Sequence, residues 1–227
     1  MVGWSATGAP LRILVGPGWI ARLLLRPLRG PHRRRAQAGL PDSSSGRSAA
    51  RIVVGPKVSD MVETIQVRER GQTLEFSYTD LLRYAGPHSP GGVANAFKAM
   101  QRAFPVLSPD VPPQRRSIVI RTAFRGPGAR DGFEAVTRAV TDGRYTVDRA
   151  LVRPDRGRLL EDFVFNVGID NTTVTLLLRA GFVSEQFIDL VRTPDRTLEQ
   201  ERRLDALKLQ LAQSVMGATA AEVYDID

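Results

Sequence analysis

Residues 84–92 read Tyr84-Ala85-Gly86-Pro87-His88-Ser89-Pro90-Gly91-Gly92, and directly after them Val93, Ala96, Phe97, Met100 and Phe104 recur at helical spacing. That recurrence is one apolar face of an amphipathic helix. A stretch of glycine and proline at a helix start makes a rigid turn with exposed backbone. Such a turn fixes the direction of the chain and can hold an anion, a metal or a carboxylate. One of the two histidines of the chain, His88, lies within it.

The remaining patterning narrows the fold class. Residues 64–68 and 73–77 alternate apolar and polar side chains around Arg70-Gly71-Gln72, the signal of a hairpin. Pro105 ends the helix, and a proline-rich loop follows over 108–114. Residues 117–122 are short, β-branched and apolar, and read as a buried strand. A Gly126-Pro127-Gly128 turn then opens a second helix carrying Phe133, Val136 and Val140, which Asp142-Gly143 stops. A brief strand is expected at 145–147. Phe163, Phe165 and Val167 share one face of a strand, as do Val174, Leu176 and Leu178, with a turn at Ile169-Asp170-Asn171 between them. A short helix fits 182–191. A capping box, Thr197-Leu198-Glu199-Gln200, starts a longer one with an apolar stripe of Leu204, Leu207, Leu211 and Val215. The order is helix, strand, helix, three strands and then C-terminal helices. That predicts an α+β domain with helices on one face of a mostly antiparallel sheet.

Composition excludes several functions. With 227 residues and 42% apolar content the chain can bury one good core. It has no cysteine, so disulfides, iron–sulfur clusters and cysteine-ligated zinc are ruled out, and a cytoplasmic location is the natural expectation. No apolar run reaches the roughly 20 residues of a membrane helix. The net charge of +8 is located entirely in residues 1–60, which hold ten basic side chains against Asp42 and Asp60. The other 167 residues carry 22 basic and 22 acidic side chains, so the body lacks the basic excess that a nucleic-acid surface needs. Residues 1–60 read as a non-globular leader. An over-extended reading frame with its true start at Met61, a disordered tail and a targeting peptide are the three accounts of it. The globular domain is expected over 61–227.

The turn at 85–91, the helix after it and the strand–loop–helix over 118–140 resemble the FmdE-like proteins, a family named for one component of formylmethanofuran dehydrogenase. In that family a His-Gly-His-x-Cys-Pro-Gly motif opens the first long helix, and a later Asp-Ala pair opens the second. The resemblance covers roughly residues 84–179. Here the two histidines fall on Ala85 and Pro87, the variable position on His88, and the cysteine on Ser89, while Gly86, Pro90 and Gly91 are kept. The aspartate falls on Asp131, followed by Gly132. The resemblance implies the same helix, strand, helix, three-strand order and a homodimer. The metal ligands are missing, so no metal or other cofactor is expected.

Two segments remain as candidates for a site. The turn at 84–92 is either a structural feature kept for shape or an anion holder. As a holder, the N–H groups of Gly91, Gly92 and Val93 would bind a small anionic molecule, with His88 and Ser89 supplying hydrogen bonds or acid–base chemistry. Arg125 to Asp131 forms the second candidate: either Arg121, Arg125 and Arg130 at the helix start bind a small acid, or Asp131 simply suits the dipole and the arginines are solvated. It lacks the third glycine of a dinucleotide fingerprint and the lysine of a phosphate loop. Asn95 and Lys98 are one turn into the first helix. Both could face the same cleft, with a solvated helix face the favoured place for Lys98. The functional expectation is a metal-free FmdE-like domain that binds a small anion or a partner subunit. The alternatives are an enzyme acting on a small carboxylate or carbonyl compound through His88, and a structural subunit of a larger complex. Neither nucleic acid nor membrane is expected as a partner.

Overall fold

Ile120, Val167 and Val174 stand side by side on three neighbouring strands, and all three are buried against helices on a single face of the sheet. A computed structural model describes residues 63–227, which lie within one compact unit. The expected leader and start at Met61 lie outside the described residues.

The described residues begin with a hairpin of β1 (Thr64–Glu69) and β2 (Gln72–Ser77), paired in register from Thr64 opposite Ser77. Two helices follow, α1 (Tyr78–Ala85) and α2 (Pro90–Leu107). Then come β3 (Ile118–Thr122), α3 (Pro127–Thr137), β4 (Tyr145–Val147), β5 (Val164–Ile169) and β6 (Thr172–Leu178). The chain closes with α4 (Glu185–Arg192), α5 (Leu198–Met216), α6 (Ala220–Val223) and β7 (Tyr224–Ile226). The main sheet has the order β4-β3-β5-β6-β7, and only the β3–β4 pair is parallel. This is the α+β class that the patterning predicts, with the extra C-terminal helices.

Several boundaries differ from expectation for physical reasons. α1 carries no long apolar run and escapes periodicity. Its start is nonetheless written in a capping box, in which Ser77 and Asp80 satisfy each other's backbone N–H groups. α2 starts at Pro90, inside the expected turn, because proline at the first helical position has no N–H to lose. Pro105 does not end α2, which runs on to Leu107. Pro105 gives up only its own bond to the carbonyl four residues back, and the last turn still closes with the Ser108 N–H donating to the Phe104 carbonyl at 2.8 Å. β3 is buried on one face only, leaving Val119 and Arg121 exposed. α3 stops at Thr137, where Arg138 takes a left-handed conformation at φ 56°. β7 is three residues long and has no sequence signal at all.

α2 is the centre of the molecule. Eleven of its 18 residues are buried, so it is covered on nearly every side, unlike a helix that lies on a surface. The glycines of α2 and α3 permit this. A Cβ on Gly92 would sit 2.8 Å from the Ala129 nitrogen, and one on Gly132 would sit 2.8 Å from the Ala96 methyl. The hairpin is fastened to α3 by Arg115. Its guanidinium donates to the Ala135 and Val136 carbonyls, 2.7 Å each, and to Glu69 at 2.9 Å. Those carbonyls belong to the last turn of α3 and lack partners within the helix.

Candidate functional site

The two glycine-bearing turns proposed from sequence meet in space. The carbonyl oxygen of Ser89, just before α2, comes so close to Gly128 in the first turn of α3 that a Cβ there would lie 2.2 Å away. Only glycine fits at that contact. The two helix starts form one wall of a cleft of about 740 Å³, to which Ser89, Gly91, Gly92, Arg125, Gly126 and Gly128 contribute.

The opposite walls come from segments far away in sequence. Phe124 and Phe163 supply an aromatic floor, with ring centroids 4.8 Å apart. Gly126 is part of the reason, since a Cβ there would be 2.3 Å from the Phe124 ring. α4 contributes Phe187 and Ile188, and α5 contributes Leu204 and Leu211. The rim is basic: Arg125, Arg149, Arg158, Arg192, Arg196 and Lys208 line the cleft, against the acids Glu161 and Asp162.

Most of these cations are engaged. Arg149 pairs with Asp162 at 2.7 Å and donates to the Ala123 carbonyl at 2.6 Å. Arg192 pairs with Glu161 at 2.7 Å, and Arg158 with Asp189 on α4, so two crossed ion pairs join α4 to residues 158–161. Arg196 holds Glu201 at 2.7 Å and two carbonyls, and Lys208 holds Asp205 at 2.9 Å. Arg125 is exposed and has no acidic partner among the described residues. It is the cation of the rim most available to a ligand.

The sequence candidates divide accordingly. Ser89, Gly91, Gly92 and Arg125 line the cleft, while His88 is exposed and does not. The expected cradle of backbone donors is largely occupied, because the N–H groups of Gly92 and Val93 both donate to the Ser89 carbonyl, at 3.1 and 3.2 Å. Val93 is fully buried. Asn95 turns away from the cleft. Its amide donates to the Gly91 carbonyl at 2.8 Å, and its oxygen accepts from the Tyr224 hydroxyl at 2.6 Å. Lys98, expected on a solvated face, is fully buried and paired with Glu63. Arg121 projects from the far face of the sheet and pairs with Asp148. That carboxyl lies below its ordinary 3.8, chiefly through the Ala150 N–H and then Arg121. Asp131 lies 3.6 Å from Arg130 and contributes nothing to the lining.

Residues 149–163, α4 and α5 supply walls that sequence reading does not find. No motif marks them as a site, since α4 and α5 read as ordinary amphipathic helices and residues 149–163 as a connecting segment until the chain is folded. A second cleft, about 500 Å³, lies between β1, the end of α2 and residues 108–113, and Asp110 is its only charged lining residue. Among the described residues no three His, Cys, Asp or Glu side chains gather as a metal-binding group. No described helix is long and apolar enough to cross a membrane. No family model matches the chain, and no curated protein matches it.

Proposed function

We propose that this protein is an FmdE-like domain without the family's metal ligands, and that it binds a small anionic ligand in the cleft between the two helix starts and α4–α5. One observation carries the reading. Six basic side chains and two acidic ones line the cleft, and five of the six are paired with acids, which leaves Arg125 as the rim cation without an acidic partner among the described residues. The anion is held by side chains, with Arg125 foremost, because the backbone donors at Gly92 and Val93 already serve Ser89. Catalysis by His88 gains no support from its exposed position outside the lining.

The test is calorimetric titration of the protein with acetate, benzoate, citrate and phosphate, repeated on Arg125→Glu. Saturable binding of at least one anion at a 1:1 ratio, weakened tenfold or more by the substitution, is expected. Absence of binding at millimolar concentrations, or binding indifferent to Arg125→Glu, overturns the proposal. Elemental analysis bears on the metal: stoichiometric zinc, iron or nickel in the purified protein would contradict the loss of the ligands.

A further inference from the structure

We infer that the ligand is an amphiphile, with one anionic headgroup on an extended apolar body, a class of ligand that rests on the anion-binding reading of the same cleft. The size of the cleft is the first argument. At about 740 Å³ it has the volume of pockets that bind whole organic molecules. A water takes up about 30 Å³ in the liquid, so a lone oxyanion would leave most of this space to water. That water would lie against the apolar lining surface that Phe124, Leu159, Phe187 and Val191 present, which offers it no hydrogen bonds.

The distribution of charge is the second argument. The apolar residues form the floor and the wall made by α4 and α5. The acids that neutralise Arg158, Arg196 and Lys208, namely Asp189, Glu201 and Asp205, are not among the lining residues. Arg125 and Phe124 both line the cleft, so it offers one ligand both aromatic surface and a cation free among the described residues. A ligand that fits both features joins a single anion to hydrocarbon or aromatic surface. A polyanion fits poorly, because Arg149 and Arg192 are already committed to Asp162 and Glu161.

The experiment titrates the 227-residue chain with acetate, butyrate, hexanoate and octanoate, and with neutral octanol. Burial of each methylene is worth about fourfold in affinity, so affinity is expected to climb steeply from acetate to octanoate. Octanol should bind at least tenfold more weakly than octanoate, and Arg125→Gln should remove most of that difference. Val191→Asp places an acid at a half-exposed lining position that tolerates charge, and should weaken octanoate without unfolding the protein. Equal affinity for acetate and octanoate overturns the amphiphile while leaving small-anion binding in place. Binding of phosphate, titrated in parallel, with none of these monocarboxylates does the same. Octanol binding as tightly as octanoate, with Arg125→Gln without effect, overturns the anion reading too. Binding to anionic phospholipid vesicles in the absence of any octanoate binding also overturns the inference.

Discussion

The Tyr224 hydroxyl donates to the side-chain oxygen of Asn95 across 2.6 Å, and neither residue has any exposed surface. Asn95 in turn donates to the Gly91 carbonyl at 2.8 Å. A C-terminal strand residue is thereby linked, through the middle of α2, to the glycine wall of the cleft. Burial holds the Tyr224 phenol well above its usual range, so it is a neutral donor at neutral pH.

Tyr224→Phe is expected to destabilise the protein by about 1–3 kcal/mol, the usual consequence of leaving a buried acceptor unsatisfied. The cavity contribution is small, because only an oxygen is removed. Urea denaturation followed by far-ultraviolet circular dichroism measures it. A midpoint identical to that of the wild type would show that the Asn95 oxygen finds another donor.

Gly128→Ala forces a methyl group to within 2.2 Å of the Ser89 carbonyl. Both partners are backbone, so neither helix start can yield without moving its helix. The expected loss is about 1–3 kcal/mol or more, as for other overpacked sites, together with weakened ligand binding in the cleft. Gly126→Ala is the control, since its clash is with the ring of Phe124, a side chain that can rotate. A smaller loss there than at Gly128 is expected in the same thermal melts.

The chemistry of individual residues explains which parts of this fold are legible in sequence. Where a face is periodic and long, as in α2 and in the β5–β6 hairpin, the pattern follows from burial, and burial decides the structure. α1 and β7 are short, and their existence depends on partners: Ser77 with Asp80 for one, and pairing of Leu178 with Tyr224 for the other. Lys98 reads as a surface residue because charge alone says nothing of a partner 35 residues away at Glu63. The cleft is half legible. Its glycines announce a close backbone approach, but Arg192, Lys208 and the apolar faces of α4 and α5 read as ordinary amphipathic helices. Only tertiary folding turns them toward Ser89 and Arg125.

The burial of Lys98 leads to a third prediction. Its side chain is fully buried, while that of Glu63 is about half exposed at 48%. Taking an ammonium out of water is costly, and an exposed partner offsets little of that penalty. Lys98→Met keeps most of the volume and removes the charge, and is expected to be neutral or stabilising. Lys98→Ala also removes the packing of the side-chain stem, and should destabilise by about 2–5 kcal/mol if it behaves like other truncations of long core side chains. Equal destabilisation by Met and Ala would mean that the ion pair itself holds β1 to α2.

Acid stability turns on the cluster that joins the first hairpin to the loop after α3. Glu69 is held below its ordinary 4.5 chiefly by Arg116 and then by Arg115, and Asp142 lies below its ordinary 3.8 chiefly through Arg144, with Arg116 adding. Glu134 behaves alike for a different reason. Burial pushes its carboxyl up, but the Thr141 hydroxyl and the Thr141 and Val140 N–H groups outweigh that and bring it below 4.5. A carboxyl whose folded value is lowered stabilises the fold fully above its unfolded value, and loses that contribution as pH falls through the folded one. The melting temperature should therefore stay level from neutral pH down to about 5 as far as these groups are concerned, and fall steadily below about 4.5. Glu69→Gln should lower the melting temperature at about pH 7 and make the acid decline shallower, because one of the titrating groups is gone. A variant that melts lower by the same amount at about pH 7 and about pH 3 would show that Glu69 contributes packing and not charge.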